Sequence, residues 1–480
     1  MNQTILSELQ PVFFPRSIAI VGASDKDRSF GLYWLKSLLD VGFTGRIYPV
    51  NPGRGKVLGL KTYPDLLSIP DSIDYVIIST TQKSIIDTLD DCVAKGVKIV
   101  HIFTAGFKET GSEAGHLLET QIVKKAREGK FRVIGPNCIG VYCQQNRMPV
   151  CNSNQLGEPG TIAFISQSGG HTQRLFDTGL QRRIHFNKMV SLGNSCDLNA
   201  VDFMEYFAAD PQIKIIAAYL EGVSNGRAFF ELSCKITKRK PLIIWKGGMS
   251  QAGAKAAASH TGSLAGSDIV WAAALTQARA LSVKSLEELT DTLLAFQNLP
   301  PCTGRKVAII AIAAAGGGIG VTSSDSCSDL GLEVAPLSDE TRSELDSFVS
   351  PIGQSTNNPL DVPFSSTQPD DLWKILKLLE ADSNIDLIIL YENIYAALSY
   401  SGEKAITTAN DITMHFSKVT KKPFVVVSEH TLDDPIASAM ETDLVKADVC
   451  VFPTIERAAK AIFNLTQYWK FREKTGTSNR

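Results

Sequence analysis

Short apolar runs recur along the chain, separated by segments whose apolar residues fall every three to four positions. The runs "SIAIVGAS", "RIYPVNP", "YVIIST", "VKIVHIFTAG" and "FRVIGPN" have strand length, and stretches such as "SIIDTLDDCVAKG" between them have helix period. This alternation predicts parallel sheets wrapped by helices, so the fold class is α/β. The first series fills residues 1–145 as one doubly wound, Rossmann-like domain. After the turn-rich "NRMPVCNSNQLGEPG" comes a second series, "TIAFISQSGG", "FNKMVSLGN", "IKIIAAYLEG" and "PLIIWKGG", closed by the helical "SLEELTDTLLAFQNL" and giving a domain over 146–300. The prolines of "NLPPCTGR" precede a third series, "KVAIIAIAAAGGG", "IDLIILYEN", "PFVVVSEH" and "DVCVFPT", which ends in the helix "IERAAKAIFNLTQYWKF" and occupies 301–480. Three sheet domains in tandem are expected.

Composition narrows the function. The chain has 480 residues, 44% hydrophobic and 20% charged, which is globular and enough for three sizeable cores. Its net charge of -2 and pI near 6.4 leave no basic stripe for nucleic acid or anionic lipid. The start "MNQTILSELQ" lacks a charged n-region leading into an apolar h-region, and the most apolar stretch, "VAIIAIAAAGGGIGV", is too short and glycine-rich to span a bilayer. A cytoplasmic protein is expected. Nine scattered cysteines with no CxxC pair suit a reducing compartment and offer neither a disulfide framework nor a zinc site, so no metal is assigned.

Each domain opening carries its own chemistry. In the first, strand "SIAIVG" runs into "GASDKDRSFG" and then a helix, so loop and helix-start amides are available to a phosphate. The dinucleotide fingerprint GxGxxG is absent, and Asn51 of "PVNPGRGK" stands where an NAD enzyme needs an acid for the ribose. Arg54 and Lys56 add positive charge there, suiting a ligand with extra phosphate such as NADP or coenzyme A, although a plain surface turn explains either residue alone. The turns "FTAGF" at 103–107 and "GPNCIG" at 135–140 fall at the same carboxyl edge of the sheet, where α/β proteins bind ligands. The candidate cofactor contacts are therefore Gly22, Ala23, Ser24, Arg28, Asn51, Pro52, Arg54, Thr104, Ala105, Gly106, Asn137 and Cys138.

The second domain opens with "FISQSGGH", a strand feeding a Ser-Gly turn at a helix start. Ser168, Gly169 and Gly170 form a candidate phosphate cradle from free amides and the helix dipole, while Ser168 alone reads equally as an N-cap. Glu221 ends the strand of "AAYLEGVSNG" at the ligand edge, whereas Glu287 and Glu288 lie within an amphipathic helix. His260, in "AAASHTGSLAG", sits among small residues that cannot bury it and looks presented. A carboxylate at Glu221 that met His260 would fix the imidazole tautomer and leave its other nitrogen nucleophilic. Of the other histidines, His101 reads as strand core, His116 and His415 as helical, and His185 and His430 as strand-edge residues. His171 comes directly after the Ser-Gly turn and reads as an anion contact or a solvent-facing first-turn residue.

The segments "FPRSIAIVGAS", "IYPVNP", "GPNCIG", "SQSGG", "DPQIKIIAAYLEG" and "SHTGSLAG", in this order, resemble the NDP-forming acyl-CoA synthetases, which include succinyl-CoA synthetase and ADP-forming acetyl-CoA synthetases. The likeness covers nearly the whole chain and is to the α subunit. It implies a coenzyme A-binding first domain, two flavodoxin-like domains after it, phosphorylation of His260 and a hydrogen bond to it from Glu221. It further implies acid–CoA ligation through acyl phosphate and phosphohistidine. Nothing in the chain reads as an ATP-grasp module, so a separate β subunit is expected to bind ATP or ADP and Mg. Two departures stand out: "GGHTQR" where relatives carry a small apolar residue, and "AIAAAGGGIG" where the third domain often reads "NAGGPG". "NNPLDVP" keeps the family look, and polar His171, Gln173 and Arg174 hint at an acyl group larger or more charged than acetate. Competing readings are a non-catalytic acyl-CoA-binding relative, an acyl or carbamoyl transferase on the same domains, and an NADP-dependent oxidoreductase.

Overall fold

The computed structural model describes residues 3–255, 267–312, 316–350, 355–362, 369–429 and 435–476. The chain divides into two compact units, residues 1–286 and 287–480.

The first unit holds two large sheets and a two-stranded antiparallel ribbon, Lys56–Val57 with Leu60–Lys61. One is fully parallel, in the order Arg46–Val50, Ser17–Val21, Tyr75–Ile78, Ile99–Ile102, Arg132–Ile134. The other runs Leu281–Val283, Leu242–Lys246, Ile215–Leu220, Ile162–Ser166, Phe186–Ser191, Gly140–Cys143, with only the last strand antiparallel. Tyr75–Ile78 and Ile215–Leu220 are buried at every position, as strands covered by helices on both faces must be, which is why they read as unbroken apolar runs. The intervening helices show one apolar face. Ile85–Lys95 buries Ile85, Leu89 and Cys92 and stops at Gly96, whose φ of 70° closes the helix in the left-handed conformation.

Three features differ from the sequence reading. Strand Gly140–Cys143 lies inside the expected first domain yet pairs with Phe186–Ser191 in the second sheet. Helix Gln3–Phe13, unmarked by any strong sequence signal, packs on helix Ala200–Ala209, with the Phe13 and Tyr206 rings stacked 5.0 Å apart. Helix Leu286–Asn298, expected to close the second series, is pinned within the second unit. There Asp291 takes two hydrogen bonds from Arg457, at 2.6 and 2.9 Å, and Thr292 accepts one from Asn464 at 2.9 Å.

The two sheets of the first unit are joined by the loop after Phe186–Ser191. Its amides at Asn194, Cys196 and Leu198 bond the carbonyls of Pro136, Gly135 and Val133 at 2.9, 3.0 and 3.1 Å. Asp197 reinforces this seam by accepting from Arg132 Nε at 3.0 Å, Arg132 Nη2 at 3.1 Å and the Val133 amide at 2.8 Å. A Cβ on Gly193 would lie 2.2 Å from the Pro136 carbonyl, so only glycine lets the backbones approach this closely.

The second unit is built on a parallel sheet ordered Glu333–Val334, Lys306–Ile312, Leu387–Glu392, Phe424–Ser428, Cys450–Phe452, with Leu360–Val362 also paired to Lys306–Ile312. Asn358 ties its turn down by accepting the Ile309 amide at 2.9 Å and donating to Val307 and Ala335 carbonyls at 2.7 Å each.

Removing the Asp197 carboxylate takes away the side-chain acceptor of the Val133 amide and leaves the Arg132 guanidinium with Glu8 alone, so Asp197→Ala should lower unfolding free energy by about 2 kcal/mol. Chemical denaturation of the two proteins measures this; equal midpoints and slopes would show that the seam does not depend on the carboxylate.

Candidate functional site

Both sheets of the first unit reverse their strand order, and candidate residues gather at those reversals. In the first sheet Ser17–Val21 and Tyr75–Ile78 are neighbours, with later strands added to opposite sides, and the crevice beyond their carboxyl ends is where such sheets take ligands. A cavity of about 660 Å3 lies there, lined by Gly22, Asn51, Pro52, Ser79 and Thr80 among others. Gly22 has φ 91°, and a Cβ on it would stand 3.0 Å from the Thr80 methyl, so the turn leaves the cavity wall free of side chain.

A second cavity of about 500 Å3 is lined from the first sheet by Thr104, Ala105, Asn137 and Cys138, and from the second by Ser168, Gly169 and Gly170. Ser79 and Thr80 border both cavities, so a track leads from the first sheet's reversal to the second sheet's helix start. Phe30, Phe103, Ile139, Gln167, Gly193 and Asn194 complete the wall.

The helix start is built by local chemistry. Ser168 is extended, at φ -115° and ψ 120°, and its hydroxyl accepts the His171 amide at 3.3 Å, capping helix Gly169–Arg182. Gly169 and Gly170 are then first-turn residues, whose amides have no acceptor within the helix and stand at its positive end. Ser168 thus serves as an N-cap and as part of the cavity wall.

Glu221 comes after the strand next to Ile162–Ser166, at the second sheet's own reversal. It is only 5% exposed and does not line the cavity. Gln167, which does, connects the two: its Oε1 accepts the amides of Glu221 at 2.6 Å and Gly222 at 3.0 Å. Tyr219 donates to Glu221 Oε1 at 3.2 Å, and Lys246 donates to the Glu221 carbonyl at 2.8 Å. Burial pushes the Lys246 ammonium below its ordinary pKa, and Glu221 opposes that shift only in part. His260 lies outside the described residues.

Several predicted contacts have other work. Gly106 donates its amide to Glu109 Oε1 at 2.5 Å and its carbonyl accepts from Gln82, so both backbone groups already have partners within the protein. Arg54 is paired with Asp25 at 2.6 Å, so its charge is not the free one the sequence suggested. Asn51 brackets the turn, donating to the Ala23 carbonyl at 2.8 Å and accepting the Gly53 amide at 3.0 Å. Ala23 is wholly buried, Ser24 accepts the Lys26 amide at 3.0 Å, and Arg28 is exposed in the same loop with φ 61°. Gln173 bonds Asp177 on the helix surface and Arg174 is exposed, so neither carries the hint of a larger acyl group. His171 does not point simply to solvent: its ring lies 4.5 Å from both Tyr219 and Trp245.

Sequence reasoning missed Asn194. Its side chain donates to Glu109 Oε2 at 2.5 Å and Glu119 Oε1 at 2.6 Å, which holds the cavity wall rigid. Burial alone would raise the Glu109 pKa, but the bonds from Asn194, Gly106 and Phe107 bring it below the ordinary carboxylate value. The signal available was "SLGN", a strand end with a small-residue turn like the three that were recognised.

Comparison with known proteins agrees with this architecture. A family profile described as a CoA binding domain matches residues 16–144, and one described as a succinyl-CoA ligase like flavodoxin domain matches residues 159–296. A coenzyme A-binding layer followed by a succinyl-CoA ligase-like layer defines an acyl-CoA-handling protein. The chain is 40% identical over 380 residues to the Pyrococcus furiosus acetate–CoA ligase (ADP-forming) II subunit alpha, covering 78% of this chain and 80% of that one. It is 34% identical to the subunit alpha of acetate–CoA ligase (ADP-forming) I from the same organism, covering 97% and 99%. Among solved structures, the dinucleotide-forming acetyl-coenzyme A synthetase 1 of Candidatus Korarchaeum cryptofilum, in complex with phosphate and ADP, aligns with a TM-score of 0.84 at 31% identity over 98% of this chain and 99% of that one. The chain belongs to the NDP-forming acyl-CoA synthetase family. It is an acid–thiol ligase chain that aligns with the family's α subunits, and the reading as a non-catalytic relative is not favoured. It spans about half, 49% to 54%, of the length of some other curated ligases it matches.

One buried group beside the cavity sets a pH limit. His101, with no exposed surface, bonds the Cys138 carbonyl at 3.1 Å, and burial pushes its pKa from 6.5 to about 4. The unfolded chain therefore takes up this proton first as pH falls. Stability from the neutral imidazole is complete above pH 6.5 and is lost as pH drops from 6.5 towards 4, by about 3 kcal/mol in all. Unfolding curves of wild type and His101→Gln across this range should diverge in slope; parallel curves would contradict the assignment.

Proposed function

We propose that the chain is the α subunit of an ADP-forming acid–CoA ligase. It interconverts acyl-CoA, nucleoside diphosphate and phosphate with carboxylic acid, coenzyme A and nucleoside triphosphate, through acyl phosphate and a phosphohistidine at His260. The reading is carried by the track that runs between two facing sheet edges and ends at the Ser168–Gly170 helix start, beside Glu221. Coenzyme A fits this track with its nucleotide end towards Gly22, Asn51 and Pro52. Its pantetheine then passes Ser79 and Thr80 towards Gly169 and Gly170.

The degradative direction takes three displacements. A phosphate oxygen attacks the thioester carbonyl, the C–S bond breaks, and coenzyme A leaves as the thiol after taking a proton. A ring nitrogen of His260 then attacks phosphorus in the acyl phosphate, the P–O bond to the acyl group breaks, and the carboxylate leaves. Finally a terminal oxygen of the nucleoside diphosphate attacks phosphorus and the P–N bond breaks. The first-turn amides of Gly169 and Gly170 and the helix dipole stabilise the phosphoryl charge during the first two steps, a contribution that needs no covalent chemistry. Glu221 accepts a hydrogen bond from one ring nitrogen of His260 and so keeps the other nucleophilic.

The nucleotide and Mg are bound by an ATP-grasp β subunit encoded as a separate chain, and the complex works in the cytoplasm. The family's α-subunit relatives support the partner, and no described helix is long and apolar enough to cross a membrane.

Intact-mass analysis after incubation with phosphate and a panel of acetyl-, 4-hydroxybutyryl- and feruloyl-CoA tests the proposal, alone and with the co-purified partner and ATP. Wild type should gain one acid-labile phosphoryl group, His260→Ala none, and Glu221→Gln should gain it at least about tenfold more slowly. An equal adduct on His260→Ala would overturn the assignment.

A further inference from the structure

Among the described residues Gln167, Lys246 and Tyr219 each bond Glu221, and the Tyr219 bond is made to its carboxylate. Gln167 fixes its amide and Lys246 its carbonyl, so the backbone at the end of strand Ile215–Leu220 is clamped from both sides. The carboxylate itself meets the Tyr219 hydroxyl at 3.2 Å from Oε1. Tyr219 stands on the strand and Glu221 two residues on, at the bend just past the strand's end, and across that interval the phenol reaches the carboxylate.

The ring of Tyr219 is itself immobilised. His171 packs against it at 4.5 Å and Trp245 at 4.7 Å, and His171 and Trp245 touch each other at 4.5 Å, closing a three-ring box. The residue after strand Leu242–Lys246 makes room for the hydroxyl: a Cβ on Gly247 would stand 2.6 Å from the Tyr219 oxygen. His171 is thus part of the wall that holds the phenol.

We propose that Tyr219 is a positioning residue for the phosphoryl transfer, its hydroxyl fixing the rotation of the Glu221 carboxylate so that it meets the phosphorylated histidine in one orientation. The inference rests on the role of Glu221 proposed above. Burial, and then the adjacent Glu221 carboxylate, push the Tyr219 pKa well above the ordinary phenol value. The hydroxyl therefore keeps its proton and remains a donor across the working pH range. A hydrogen bond to a charged acceptor is the stronger kind, and its loss removes this restraint on the carboxylate's rotation.

The test uses the complex isolated from its host with the co-purifying partner, phosphate, and whichever acyl-CoA of the panel labels wild type. The variants are Tyr219→Phe, Glu221→Gln, both together, and Gly247→Ala. Tyr219→Phe keeps the ring and its packing while deleting the donor. It should slow single-turnover phosphorylation about tenfold with KM for acyl-CoA changed by less than about twofold. Gly247→Ala, which crowds the hydroxyl while leaving both Tyr219 and Glu221 in the sequence, should act in the same direction. In the Glu221→Gln background Tyr219→Phe should add nothing, because a residue acting through another loses its effect when that partner is gone. Thermal melts check that each variant is folded.

Two outcomes overturn the inference while leaving the Glu221 reading intact: a wild-type rate for folded Tyr219→Phe beside a slow Glu221→Gln, or losses that multiply in the double variant. A wild-type rate for Glu221→Gln would instead remove the Glu221 reading, and this inference with it. If Tyr219→Phe does not fold, a wild-type rate in Gly247→Ala overturns the inference, and a slow one whose effect vanishes beside Glu221→Gln supports it.

Discussion

Three backbone hydrogen bonds between residues 194–198 and 133–136 determine whether this protein has a site at all. Each sheet of the first unit has its own ligand edge, but an edge alone offers only a turn and a few amides. The seam, tightened by Asp197 on Arg132 and by the absence of a side chain at Gly193, turns the two edges towards one cavity. The same loop supplies Asn194 to the wall, and Glu109 and Glu119 fix that residue from behind. Wall and seam are thus one element.

Within the second sheet the decisive constraint is the reversal of strand order between Ile162–Ser166 and Ile215–Leu220. It brings a helix start with free amides and a buried carboxylate to adjacent strand ends, joined through Gln167. Helix dipole and carboxylate stand side by side, with Glu221 bonded by backbone, phenol and lysine partners and the first-turn amides at the cavity wall, the pair that the proposed phosphoryl transfer would use. Differential stabilisation of a moving charge needs such a preorganised pair, in which no group has to reorient when phosphorus changes partners.

Much of this was legible in the sequence, for a physical reason. Central parallel strands are buried on both faces, so they announce themselves as apolar runs, and the turn after each run lies at the ligand edge. Ser168 and Glu221 were found that way, as were the turns at Gly22, Thr104 and Asn137. The features that stayed hidden depend on distant partners. Nothing in "GPNCIG" says that the next four residues cross to another sheet, and nothing near Arg54 says that Asp25 neutralises it. Gly106 looked like a ligand turn until Glu109 took its amide. Tyr219 was within reach of inference, since it stands only two residues before Glu221, but the box of His171 and Trp245 that makes it rigid is assembled only by the fold.

The proposed activity requires one ligand track that joins the two sheet edges and brings a thioester to the Ser168–Gly170 helix start. The direct measurement is a crystal structure of the chain with coenzyme A, reading the position of the sulfur. The account predicts the adenine nucleotide beside Gly22 and Asn51, the pantetheine along Ser79 and Thr80, and the sulfur in the cavity walled by Asn137, Gln167 and Gly169. A pantetheine leaving the first sheet in any other direction, with the sulfur remote from Gly169 and Gly170, would contradict it.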